Sequence, residues 1–246
     1  MVSLSQDHLD HLNKTLAQLP AEEVLAWAAL TFPGLFQTTA FGLTGLVILD
    51  MMSKKNIPVD LIFIDTLHHF PQTYDLINNI KSKYNPNLHI YTPQNLISEQ
   101  DFATKHGDQL WEKDDNLYDY LVKVEPAQRA YKELGVKVVL TGRRKSQGGA
   151  RAALPVIEIE ESTGIIKINP LWDWDFARIQ KYVKDNDVPY NELLDLGYKS
   201  IGDWHSTVPV AEGEDERSGR WKGKAKTECG IHETSRFAQY LQATAP

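Results

Sequence analysis

Residues 59–66 read VDLIFIDT, an apolar, β-branched run, continuous from Leu61 to Ile64, that ends in an acid and a hydroxyl. A run with no polar face is a strand buried on both sides, and such strands belong to parallel sheets covered by helices. The flanks agree. Upstream, LFQTTAF (35–41) forms a second short strand, Gly42 breaks it, and LTGLVILDMMSKK (43–55) has helical length and spacing. Downstream, a helix from Pro71 to Tyr84 precedes the strand LHIYTP (88–93), and helical stretches around 100–106 and 125–134 lead to the strand VKVVLTG (136–142). Alternation of this kind predicts an α/β fold: a mostly parallel sheet with helices on both faces. Two amphipathic helices, DHLDHLNKTLAQL (7–19) and AEEVLAWAALTF (21–32), precede it; a hairpin in VIEIEESTGIIKINP (156–170) and a helix in WDFARIQKYVKDNDV (174–188) follow. From about residue 198 apolar periodicity gives way to Gly, Ser, Trp and charge, which predicts an extended or mobile C-terminal tail.

The 246 residues, 42% hydrophobic and 24% charged, suffice for one globular core with an appended segment. The single cysteine, Cys229, cannot close an internal disulfide, which points to a reducing compartment. No apolar run approaches a membrane span. The start, MVSLSQDHLDHLNK, carries neither a basic patch nor an apolar signal core, so a cytoplasmic location is expected. The net charge of −7 argues against general nucleic-acid binding. The tail is uneven: EGEDE (212–216) is acidic, whereas RSGRWKGKAK (217–226) holds cations and no acid. That block is either a solvated run or a local anion patch.

In open parallel sheets ligands bind beyond the carboxyl ends of the strands, and three strand ends here carry polar residues. After the first, Thr38, Thr39, Gly42 and the start of the next helix could cradle a phosphate or sulfate; the plainer alternative is a Thr-capped turn. After the second come Asp65, Thr66, His68 and His69. Adjacent histidines do not share a helical face as metal ligands do, so a core or capping role is favoured, while Asp65 and Thr66 could meet the sugar or base of a nucleotide. After VKVVLTG, the loop from Gly142 through Arg143, Arg144 and Lys145 to Arg151 crowds cations around Gly-Gly. Such crowding is repulsive unless an anion offsets it; the alternative is a solvated loop. A lone cysteine is usually an inert packing residue. Cys229, however, lies in a polar segment, KTECGIHE (226–233), between Lys226 and His232, and cationic surroundings favour the reactive thiolate.

FIDTLHHFPQTY (63–74), KVEP (123–126), TGRRKSQGGAR (141–151), EDERSGRWKGK (214–224) and KTECGIHE (226–233), in this order along the chain, resemble the phosphoadenylyl-sulfate reductases, and the fungal ones most closely. The resemblance runs from about residue 20 to 240. It implies an adenine-nucleotide α-hydrolase-like fold, a nucleotide-binding domain over 1–200 with N-terminal helices in 1–33, and a tail or lid over 201–246 that carries the nucleophile. It implies that Cys229, assisted by His232, attacks the sulfur of 3′-phosphoadenosine 5′-phosphosulfate (PAPS). Adenosine 3′,5′-bisphosphate is released, and the cysteine S-sulfonate yields sulfite to reduced thioredoxin, or to glutaredoxin, in sulfate assimilation. Lys123, Arg143, Arg144, Arg151, Arg217 and Arg220 then hold the anionic substrate. Relatives that reduce adenosine 5′-phosphosulfate carry an iron–sulfur cluster on a Cys-Cys pair and a Cys-x-x-Cys; with YDYLV before Lys123 and one cysteine in the chain, no cluster, metal or bound cofactor is expected. Relatives are commonly homodimers, so a homodimer is expected.

Two rivals remain. ATP pyrophosphatases and sulfate adenylyltransferase subunits of this fold need a Ser-Gly-Gly-x-Asp-Ser type loop, and TTAFGLTG (38–45) lacks the paired glycines and the Asp. A nucleotide- or thioredoxin-binding module without chemistry would not require Cys229, His232 and both arginine clusters.

Overall fold

The computed structural model describes residues 5–160, 163–224, 226, 228–232, 234–237 and 240. Helices α1 (Gln6–Leu16) and α2 (Ala21–Thr31) lead into β1 (Phe36–Thr39), α3 (Leu43–Lys54), β2 (Asp60–Ile64), α4 (Pro71–Tyr84) and β3 (Asn87–Tyr91). After α5 (Glu99–His106), two short helices, α6 (Leu110–Lys113) and α7 (Asp115–Asp119), run through a π-helical turn (Tyr120–Val124) into α8 (Glu125–Glu133). Then come β4 (Val138–Leu140), β5 (Ile157–Ile159), β6 (Ile166–Ile168) and α9 (Phe176–Asp185). The sheet order is β3-β2-β1-β4-β6-β5, parallel except for the β5–β6 pair at one edge. Because β1 has β2 on one side and β4 on the other, the strand order switches direction there, and a crevice opens above their carboxyl ends.

Each face of the sheet has its own apolar layer. One joins α1, α2, α3 and α9 through Leu16, Leu25, Leu46, Met52 and Ile179; the other joins α8 to the sheet through Ala127, Ala130, Ile62 and Val139. Helix α3 is apolar nearly all round because it is buried nearly all round, from Leu46 to Met52. Truncating Leu46 to Ala would cost about 2–5 kcal/mol. Among the described residues no helix is long and apolar enough to cross a membrane.

The stretch expected as an extended tail is packed through Trp221. Thr207 bridges Arg220, Val208 N donates to Gly219 O at 2.9 Å, and Trp221 is buried. Its polar sequence satisfies itself by turns and charge pairs rather than by a periodic apolar face, which is why periodicity did not register it. Helices α6 and α7 and the π-helical turn likewise lie where no helix was expected.

Candidate active site

A cavity of about 240 Å³ sits at the switch point between β1 and β4. Its wall comprises the β1–α3 loop from Thr38 to Gly45, Thr66 and His69 after β2, Lys123 from the π-helical turn, Gly142 to Arg144 and Arg151 after β4, and Lys199 to Asp203. Glu216, Arg217, Arg220, Trp221, Cys229 and Ile231 close it from the C-terminal segment.

The start of α3 has no side-chain cap. Ser98, Asp114 and Asp175 cap α5, α7 and α9 with side-chain oxygens, whereas the N-cap of α3 is Gly42, which has no side chain to offer. Its first N–H groups therefore face the cavity with the positive end of the helix dipole behind them. Gly142 lets β4 come close: a Cβ there would lie 3.1 Å from Gly45 N, tight against backbone. Thr39 turns its hydroxyl inward to accept from Phe41 N at 2.9 Å, which shapes the loop. Thr38 shares a 2.7 Å hydrogen bond with Tyr131, a phenol that burial pushes up to about 12 and so keeps protonated.

An arginine has five N–H donors, and how many are consumed differs along the cavity. Arg144 uses all of them within the protein: Nε on Thr44 Oγ1 at 2.9 Å, Nη1 on Ser146 Oγ and Trp174 O, and Nη2 on the Glu216 carboxylate at 2.7 and 2.6 Å. It is a strut tying the C-terminal segment to α3. Arg151 forks Glu228 from Nε at 2.5 Å and Nη2 at 2.7 Å, and its Nη1 reaches Gln147. Arg143 pairs with Glu158 and bonds Thr141 and Asn169. Arg220 makes no close ion pair among the described residues, although the Asp203 charge acts on it. Its Nη1 donates to Ile201 O at 3.2 Å, its ring partner is Trp221, and its buried Nε has no hydrogen-bond acceptor. Burial lowers the Arg220 guanidinium, and burial together with the Arg151 charge pushes Arg217 down to about 10. Arg217 lies 3.8 Å from Glu228, so two crowded cations stand at the cavity wall with one carboxylate between them and Arg151.

Beneath them lies a buried charge cluster. Lys123 Nζ is 3.0 Å from Asp119 and 2.6 Å from Asp203; Asp203 also accepts from Thr66 Oγ1 at 2.6 Å and Tyr118 OH at 3.3 Å. Burial alone would lower the Lys123 ammonium and raise both carboxyls, but the ion pairs prevail and each group is held firmly ionised. A π-helical turn, wider than an α-turn, carries Lys123 into the cavity, a use such turns often have at functional sites.

Of the residues expected from sequence, Thr38, Thr39, Gly42, Thr66, Lys123, Gly142, Arg143, Arg144, Arg151, Arg217, Arg220 and Cys229 share this one wall. Asp65 does not. Its Oδ1 turns away to accept from Leu67 N and Tyr74 OH, both at 2.9 Å, because it terminates β2 and must satisfy the turn that follows. His68 is a core ring packed edge-on against Phe102, Trp111 and Tyr118, whereas His69 reaches the wall. The side chain of His232 lies outside the described residues. Sequence reading missed Asp119, Asp203, Lys199, Glu216 and Glu228. Glu216 ends the acidic run 212–216, and a run of acids reads as solvated until its partner is known.

Comparison with known proteins gives the family. The model of the phosphoadenosine phosphosulfate reductase domain matches residues 34–209. The phosphoadenosine phosphosulfate reductase of Saccharomyces cerevisiae is 62% identical over 99% of this chain and 97% of its own length. The adenosine 5′-phosphosulfate reductase of Oceanobacillus iheyensis is 38% identical over 86% and 88%. The crystal structure of phosphoadenylyl-sulfate reductase from Candida auris, a phosphate complex, superposes with a TM-score of 0.80 at 72% identity, covering 84% of this chain and 99% of that one. FMN adenylyltransferase of Candida glabrata shares the fold alone, at 14% identity and a TM-score of 0.59. With two thirds of its residues matched and the strand-end cavity on the page, the chain belongs to the phosphoadenosine phosphosulfate reductase family of oxidoreductases.

Proposed function

We propose that the chain reduces PAPS to sulfite and adenosine 3′,5′-bisphosphate with reduced thioredoxin as the electron donor. One observation carries the reading: Cys229 shares a single cavity with the uncapped start of α3 and with Arg217 and Arg220. The Cys229 thiolate attacks the sulfuryl sulfur, an S–S bond forms, and the S–O bond to the phosphate breaks with its electron pair leaving on the phosphate oxygen. Cations around that oxygen stabilise the charge as it develops. The resulting cysteine S-sulfonate then meets a thioredoxin thiolate, which attacks the Cys229 sulfur and expels sulfite. The second thioredoxin thiol resolves the mixed disulfide and regenerates Cys229. Two electrons from the dithiol thus reduce the sulfur, and no bound redox group is required in the scheme.

The nucleophile assignment for Cys229 comes from its position and chemistry; a supporting role for His232 comes from sequence. Among the described residues Arg143 and Arg151 each use three of their N–H donors, and the others are assigned to anion binding alongside Arg217 and Arg220. The dimeric state and cytoplasmic location stand as further parts of this reading.

The test is the intact mass of reduced protein incubated with PAPS and no thioredoxin. One added SO₃ on Cys229, discharged as sulfite by reduced thioredoxin, supports the scheme; nucleotide binding without an adduct rejects it. Because relatives named adenosine 5′-phosphosulfate reductases also match the chain, the same assay with that nucleotide measures the preference for the 3′-phosphate.

A further inference from the structure

Tyr131 stands on α8, 8% exposed, in the apolar layer that this helix forms on the sheet with Ile62, Ile64 and Val139. Its phenol oxygen lies 2.7 Å from Thr38 Oγ1. Thr38 is half-buried near the carboxyl end of β1 and lines the cavity together with Arg143 and Cys229. Ile231, two residues beyond Cys229, also lines the cavity and packs against the layer that holds Tyr131. The charges of Cys229 and Arg143 both reach the phenol. The hydroxyl pair therefore stands on the Cys229 side of the cavity.

Counting hydrogens fixes the direction of the bond. A phenol carries one hydrogen and a threonine hydroxyl another, and each oxygen also accepts. Among the described residues Tyr131 OH has no hydrogen-bond partner other than Thr38. Were Thr38 to donate, the phenol hydrogen would be left in an apolar layer without an acceptor, a cost that the reverse arrangement avoids. Tyr131 therefore donates and Thr38 accepts, and the Thr38 hydrogen is left for the cavity. Thr66 on the same wall differs, because it donates to Asp203 Oδ1 at 2.6 Å. Burial, which pushes the phenol up to about 12, keeps its hydrogen in place across the neutral range.

We propose that Tyr131 is a positioning residue: by donating to Thr38 it turns the Thr38 hydroxyl into a fixed donor for the anion oxygens beside Cys229, which are the sulfuryl oxygens of the substrate. The identity of that group rests on the function proposed above; the polarity of the pair rests on the hydrogen count. A donor already oriented before the substrate arrives holds the sulfur in line with the thiolate without reorganising in the reaction. Adenosine 3′,5′-bisphosphate lacks the sulfuryl group, so its binding does not call on Thr38.

The test uses the full chain. Single-turnover formation of the Cys229 S-sulfonate from PAPS is followed by intact mass, and the affinity for adenosine 3′,5′-bisphosphate is measured by calorimetry. Tyr131→Phe keeps the ring and removes the hydroxyl; it is expected to slow sulfonation about fivefold to tenfold, the scale of one net hydrogen bond, with bisphosphate affinity unchanged. Thr38→Val slows sulfonation about tenfold, and adding Tyr131→Phe to it costs nothing further, because Tyr131 acts only through Thr38. The proposal is overturned if Tyr131→Phe sulfonates at the starting rate whatever its melting temperature, or if the two losses multiply. It is overturned equally if bisphosphate affinity falls as much as the rate, since the donor then meets a phosphate. Should the starting protein bind the bisphosphate yet form no adduct, the functional reading falls by itself. The pair is then judged by inorganic sulfate, read as protection of Cys229 from iodoacetamide: about fivefold weaker protection in Tyr131→Phe upholds the oriented donor, and equal protection rejects it.

Discussion

Arg151 grips Glu228 through two N–H···O bonds, 2.5 Å from Nε and 2.7 Å from Nη2, and Glu228 immediately precedes Cys229. The loop after β4 thus holds the nucleophile's own backbone neighbour in a fork whose two members are nearly buried. Breaking a buried pair by removing one partner typically costs about 3–5 kcal/mol. That cost falls on the seated segment rather than on the sheet. Glu228→Gln is therefore expected to slow formation of the Cys229 S-sulfonate at least about tenfold, with the nucleotide dissociation constant changed much less. Single-turnover mass measurement beside calorimetry separates the two, and an unchanged sulfonation rate would remove the fork from the mechanism.

Gly202 is expected to set the place of Arg220. A Cβ on Gly202 would overlap the Arg220 guanidinium, and that group, at the end of a flexible side chain, is what would move. Gly202→Ala should weaken nucleotide binding about tenfold or more, the scale of one lost charge-assisted hydrogen bond, while the melting temperature changes little. A variant that binds normally would show that Arg220 does not hold the anion.

Cys229→Ser should abolish sulfite formation and leave nucleotide binding intact, because the hydroxyl replaces the nucleophile without altering the cation set. Continued turnover by this variant would refute the thiolate scheme.

His205 predicts the acid side of the stability curve. Its ring stacks on Trp111 at 4.1 Å and its Nε2 meets Tyr118 OH at 2.9 Å. Burial, the largest influence, pushes its pKa down to about 3 from an ordinary 6.5; Asp203 opposes this, while Lys123, His68 and Lys224 reinforce it. Between those values the unfolded chain binds a proton that the folded one refuses, so stability falls as pH falls through this window. A melting temperature lower by roughly 2–5 °C at pH 5 than at pH 7 is expected, and His205→Asn should flatten that slope. A slope that persists unchanged in the variant would assign it to other groups.

The strands and long helices were legible because each carries its own signal. VDLIFIDT is apolar on both faces since β2 is covered on both faces, and α3 is apolar all round since it is buried all round. Residues 110–124 carried no such signal. Their aromatic and charged side chains pack around His68 and Lys123, so the π-helical turn owes its form to partners distant in the chain. The candidate site divided in the same way. Cys229 and the arginine loop were conspicuous as residue types in unusual company, whereas Asp65, equally conspicuous, serves the turn it terminates.

By itself, the sequence determined the α/β alternation, the position of the polar strand ends and the presence of one thiol in a cationic neighbourhood. Those features depend on residues near one another along the chain, where periodicity and turn chemistry act. Only the tertiary structure decided which charges meet: Arg144 with Glu216, Arg151 with Glu228, and Lys123 with Asp203, 80 residues later in the sequence. A charged group taken out of water must find a partner wherever the fold brings one, and that choice is made in space rather than along the chain.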